Sequence, residues 1–157
     1  MRVRAIAVVS LCIATGGTVF SGCGDDSNDS ASTTTPTTQQ SGGSALEIRM
    51  DDYSFAPKDA TATTGRVKIT APNDGKVVHE LVLLKTNRDP GSFEVSGGEV
   101  DEKALEESGA EIPGEIADVP PGKSKSMTVD LTPGKYAMIC NLPGHYQRGM
   151  YGSLTAK

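Results

Sequence analysis

The stretch Gly134-Lys-Tyr-Ala-Met-Ile-Cys140-Asn-Leu-Pro-Gly-His145-Tyr-Gln-Arg-Gly-Met150-Tyr-Gly-Ser-Leu-Thr-Ala156 holds two runs of strand character with one short loop between them. Residues 134–140 alternate, which puts Tyr136, Met138 and Cys140 on one face, and residues 150–156 read as a closing strand. Across the loop, four residues separate Cys140 from His145 and four more separate His145 from Met150. The Pro143-Gly144 turn reverses the chain between the first pair, and Gly149 gives a second flexible point before Met150.

Upstream of this stretch the chain repeats the same kind of unit. Residues 46–50, 66–71 and 125–131 alternate apolar and polar with period two, as half-buried strands do, and residues 59–63 are a weaker candidate. Pro72-Asn-Asp-Gly75 and Thr132-Pro-Gly134 are turn signals. Residues 77–84, Val-Val-His-Glu-Leu-Val-Leu-Leu, form the most apolar run and are expected as a central strand buried on both faces. Residues 86–122 break the rhythm. They read as an excursion between strands, with a short surface helix over 101–108 and a weak strand at 115–118. The sum is an all-β, antiparallel, Greek-key β-sandwich of seven or eight strands with a short helix in a long inter-strand excursion.

The folded domain is expected over 45–157. Residues 1–22 read as a signal peptide, with Arg2 and Arg4 ahead of an apolar run at 5–19. Phe20-Ser-Gly-Cys23 resembles a bacterial lipobox, which implies lipidation of Cys23. Phe20 departs from the usual Leu, Val or Ile at its position. Residues 24–44 contain no branched aliphatic and no aromatic residue, so they bury too little apolar surface to offset chain entropy. Residues 23–44 are therefore expected as a lipid-anchored linker with a mean span of ~25 Å. The domain would stand outside the cytoplasm, tied to the cell membrane.

Charge narrows the partners. Removing Arg2 and Arg4 leaves 13 of the 15 basic residues against 20 acidic ones, a net charge of −7. That balance excludes nucleic acid as an expected partner, because affinity there rests on Lys and Arg neutralising phosphates. Of the three cysteines only Cys140 lies in the domain, so no disulfide forms within it. A lone cysteine in an oxidising compartment is explained and protected if it binds a metal.

Thiolate, imidazole and thioether are a soft donor set suited to copper that cycles between Cu(I) and Cu(II). The loop supplies three donors, Cys140, His145 and Met150. The chain's other histidine, His79, lies on the apolar strand, which a sandwich is expected to set alongside the one that ends at Cys140. Singly, each residue has a commonplace role: a buried cysteine is a small hydrophobe, a strand histidine is structural, a methionine fills core. Together they match one site type, two imidazole nitrogens and a thiolate with a long axial thioether.

These residues resemble the cupredoxins, the plastocyanin/azurin group of small blue copper proteins, over roughly residues 45–157. Gly134-Lys-Tyr136 before Cys140 is similar to the family's strand leading to the ligand cysteine. The loop spacing is more similar to that of rusticyanin and the auracyanins than to plastocyanin's. The resemblance implies that His79, Cys140, His145 and Met150 hold one copper ion, Met150 axially. Many cupredoxins carry Asn after the first histidine, where it ties the ligand segments together. Here Glu80 stands there, so the side-chain tie is open, while its backbone N–H is expected to reach the Cys140 sulfur. Val78 replaces the glycine that azurin has before this histidine, so no fifth ligand is expected.

The implied function is electron transport, one electron at a time, between exported or membrane redox partners. Docking is expected near His145, Leu142 and Pro143, with the protein a monomer and not an enzyme. The alternative is an extracytoplasmic protein that stores or delivers copper. Multicopper enzymes need further histidines, and a dinuclear copper centre needs a second cysteine; the domain has neither.

Overall fold

The computed structural model describes residues 43–157. The signal peptide, Cys23 and nearly all of the linker lie outside the described residues.

Among the described residues the twelve strands are β1 (Ser44–Glu47), β2 (Arg49–Asp51), β3 (Ser54–Ala56), β4 (Asp59–Ala62), β5 (Gly65–Pro72), β6 (His79–Lys85), β7 (Val95–Ser96), β8 (Glu99–Val100), β9 (Glu111–Val119), β10 (Ser124–Leu131), β11 (Gly134–Ile139) and β12 (Tyr151–Ala156). One helix, α1 (Glu102–Glu107), and a 3-10 turn at Tyr146–Arg148 complete the described elements. Eight strands build two facing sheets, in the orders β1-β5-β10 and β4-β12-β11-β6-β9, and the other four form two small hairpins. The architecture is an all-β sandwich of the Greek-key kind, as expected.

The alternating runs explain the core. Val67 and Ile69 of β5, and Val129 and Leu131 of β10, point inward from the smaller sheet. They meet Leu81 and Leu83 of β6 and Tyr136 and Met138 of β11. Gly114 lets the sheets approach closely, since a Cβ there would lie 2.8 Å from Val129 and 2.9 Å from Met127. Burial of these aliphatic side chains, at about 1.5–3 kcal/mol each, is the main force holding the sandwich.

The β6 and β11 side chains facing outward are buried too. Val82, Leu84, Ala137 and Ile139 form a second cluster with Phe93, Val100, Leu105 and Tyr146. Residues 86–110 are therefore a cover over the outer face of the larger sheet, and β9 then joins that sheet at its edge. This explains why the 77–84 run is apolar on both faces, as a central strand is.

Four local expectations are corrected. The 46–50 run breaks after Glu47: β1 pairs in parallel with β5, and β2 turns away to pair with β3. The central strand starts at His79, leaving Val77 and Val78 exposed in the preceding loop. The weak strand at 115–118 is nine residues long, and Pro113 within it is tolerated because β9 is an edge strand with a register shift at that point. The sandwich is mixed, because β1–β5 and β4–β12 are parallel pairs. The expected helix is present, with the Asp101 carboxylate accepting from the Ala104 N–H at 3.0 Å as its N-cap.

Candidate metal centre

The antiparallel pairing of β6 with β11 sets Ile139 opposite Val82, so the start of β6 and the end of β11 lie at one end of the sheet. His79 opens β6 and Cys140 follows β11, which brings both to that end. The loop then folds back on itself: Cys140 N–H donates to the Met150 carbonyl at 3.1 Å, and Met150 N–H to the His145 carbonyl at 3.2 Å. His79, Cys140 and Met150 are fully buried, and His145 is half-buried.

Three donor atoms converge. His79 Nδ1 lies 3.2 Å from His145 Nδ1, and Cys140 Sγ lies 3.3 Å from His145 Nδ1. The donor atoms of all three residues fall within 4.8 Å of one another. Two nitrogens and a sulfur turned toward one point, with a thioether-bearing residue buried in the adjoining core, fit a single soft metal ion. Burial lowers the pKa of His145, which favours the neutral, ligating imidazole. Burial pushes the Cys140 thiol up to about 11, so a thiolate there calls for a cation beside it.

Residues beyond the four candidate donors complete the surroundings, and of these the sequence singled out only Glu80. The Glu80 N–H points at Cys140 Sγ at 3.5 Å, as expected from the sequence. The Glu80 carboxylate accepts from the Asn141 N–H at 2.7 Å, so a glutamate makes the tie between the two ligand segments. Burial raises the Glu80 carboxyl to about 7, against the opposing effect of that hydrogen bond, with Glu115, Glu102 and Asp118 adding to the rise. Asn73 is buried, donates to the carbonyls of Val77 and Val119, and accepts from the Gly75 N–H, which shapes the loop before His79. Asp52 Oδ1 lies 3.4 Å from His79 Nε2 and accepts from the Lys76 N–H, which holds the Asp52 carboxyl below its ordinary value.

The excursion braces the ligand loop. Asn141 Oδ1 accepts from the Val100 N–H at 2.6 Å, and its Nδ2 donates to the Val100 carbonyl and to Glu102. Gly144 N–H donates to the Gly98 carbonyl. The Tyr146 hydroxyl donates to the Pro90 carbonyl and accepts from the Phe93 N–H. Leu142 is half-buried against the main core, and Pro143 is exposed.

A sandwich with a two-histidine, one-cysteine centre at the end of its sheet defines a mononuclear copper protein of the blue-copper kind. Comparison with known proteins agrees. Residues 43–157 match the family described as copper binding proteins, plastocyanin/azurin family. The chain belongs to that family. It is 25% identical to the copper-resistant cuproprotein CopI of Pseudomonas aeruginosa, in a match covering 72% of this chain and 76% of that one. Among solved structures it resembles a dithionite-reduced auracyanin from Roseiflexus castenholzii, with a TM-score of 0.57 and 25% identity, covering 73% and 97% of the two chains. It also resembles auracyanin B, with a TM-score of 0.57 and 27% identity, covering 73% and 88%. One copper ion is the cofactor.

Proposed function

We propose that this is a type 1 copper electron-transfer protein, with His79, Cys140, His145 and Met150 as the ligands. The observation that carries the proposal is the convergence of His79 Nδ1 and Cys140 Sγ on His145 Nδ1, at 3.2 and 3.3 Å, with the donor atoms of all three residues within 4.8 Å of one another. Bound copper supplies the Cu(I)/Cu(II) couple that accepts and returns one electron. The buried residues keep water from the centre. The β-sheet and the braced loop hold the donor atoms fixed, so little rearrangement accompanies a change of charge. His145, the half-exposed member, is the route by which the electron crosses the surface. Redox protein partners dock around it, over Pro143 and the exposed part of Leu142. The protein acts as a monomer and as a carrier rather than an enzyme.

The domain works outside the cytoplasm, held at the membrane by lipid on Cys23. No helix among the described residues is long and apolar enough to cross a membrane. A Cys23→Ser variant is expected in the soluble rather than the membrane fraction.

Similarity to a copper-resistant cuproprotein favours a second reading, storage or delivery of copper. Loading the domain with Cu(II) separates the two. An electron carrier shows an intense visible thiolate-to-copper charge-transfer band and a reversible one-electron couple, and retains the metal against a chelator. A protein that stays colourless and releases copper readily to that chelator is a delivery protein.

A further inference from the structure

The hairpin of β2 and β3 has only Asp52 and Tyr53 at its tip, and both residues face the histidines. The geometry points to Asp52 as a positioning residue for the metal centre, a carboxylate that holds His79 with its proton on Nε2 and its Nδ1 lone pair free toward Cys140 and His145. This inference rests on His79 being a ligand, as proposed above.

Imidazole has two nitrogens, and a ligand histidine is useful only if the correct one is bare. His79 Nδ1 lies against His145, while Nε2 lies 3.4 Å from Asp52 Oδ1. At that distance the contact is long for a hydrogen bond, but the carboxylate is constrained around it. Oδ1 accepts from the Lys76 N–H at 2.7 Å. Gly75 packs behind the pair: a Cβ there would lie 2.5 Å from Asp52 Oδ1 and 3.0 Å from His79 Nε2. The Asn73 carboxamide fixes this segment by accepting from the Gly75 N–H. A carboxylate that accepts from the outer nitrogen of a metal-bound imidazole fixes both tautomer and ring orientation.

The tip is also strained. Tyr53 has φ 65°, a conformation that L residues other than Asn and Asp seldom adopt without tertiary enforcement. The enforcement is visible. The Tyr53 ring stands edge-on to His145 at 5.1 Å and to His79 at 6.2 Å, and the Arg148 guanidinium sits 4.6 Å from the ring centroid. The ligand loop, through Arg148 and His145, thus helps hold the hairpin that positions His79.

The test compares wild type with Asp52→Ala, Asp52→Asn and Gly75→Ala. In metal-free protein with neutral imidazoles, nitrogen-15 NMR is expected to show wild-type His79 as a single Nε2–H tautomer. Asp52→Ala is expected to give mixed tautomers and a Cu(II) affinity about 10–100-fold lower in chelator competition. Asp52→Asn keeps an acceptor oxygen and is expected to restore most of both. Gly75→Ala leaves Asp52 chemically intact but crowds both its Oδ1 and His79 Nε2, and is expected to behave like Asp52→Ala. Asp52→Ala or Gly75→Ala protein with a wild-type backbone amide spectrum, a single His79 tautomer and an affinity within twofold of wild type would overturn the assignment. If Asp52→Ala does not fold, Gly75→Ala decides. The NMR readout needs no metal, so it is distinct from a failure of copper binding itself.

Discussion

The two segments that carry the donors owe their rigidity to different things. His79 opens a central strand, with β11 on one side and β9 on the other, and its side chain is fully buried. It inherits its position from sheet hydrogen bonds and from the two-sided core. Cys140, His145 and Met150 lie on a loop that closes on itself through a few backbone bonds and is braced from outside. Asn141, Gly144 and Tyr146 each bond to the excursion, and the Asn141 N–H bonds to Glu80. A residue on a framework strand therefore has its backbone fixed by the fold, and only the orientation of its ring is left to neighbours such as Asp52. A ligand loop can be loosened while the fold stands.

Four variants sharpen that contrast, from the largest effect to the smallest. Cys140→Ser removes the thiolate and is expected to abolish the visible charge-transfer band completely while far-UV circular dichroism stays unchanged. Retained colour would show that the loop cysteine is not the ligand. Leu81→Ala strikes the framework, since Leu81 is fully buried one position past Glu80. It is expected to cost about 2–5 kcal/mol in urea unfolding, with the spectrum of the remaining folded fraction unchanged.

Asn141→Ala strikes the loop. It removes three side-chain hydrogen bonds to Val100 and Glu102 and is expected to cost about 1–3 kcal/mol. The diagnostic is that it also accelerates copper loss to a chelator, which Leu81→Ala does not do in folded protein. Equal copper retention in the two would erase the distinction between framework and loop. Glu80→Gln keeps an oxygen for the Asn141 N–H and is expected to change unfolding free energy by about 1 kcal/mol or less. A loss of several kcal/mol would mean that the charge, rather than the acceptor, makes the tie.

Much of the fold was legible. Period-two runs located most of the long strands, the continuous apolar run marked the central one, and the helix stood out by its charge pattern. What misled was local. The 46–50 alternation continues through a break, because period two reports burial and not which sheet a strand joins. Pro113 hid the longest strand, because a proline is read as a breaker unless the strand is known to be an edge. The parallel pairs were invisible for a related reason: pairing direction depends on partners far along the chain.

The site divides in the same way. The sequence by itself nominated the candidate donors, because the domain has two histidines and one cysteine, and because connectivity forces Cys140, His145 and Met150 into one loop. Only the tertiary structure decided what holds them. Asp52 meets His79 across 27 positions and Glu80 meets Asn141 across 61. Asp52 and Asn141 read in sequence as ordinary solvated polar residues, and Glu80 only as a departure from the family's Asn. Donor chemistry is a property of residue type and is written locally. Hydrogen-bond partnership at long range is created only when packing of the sheets and their cover brings distant backbone and side chains within reach of one another.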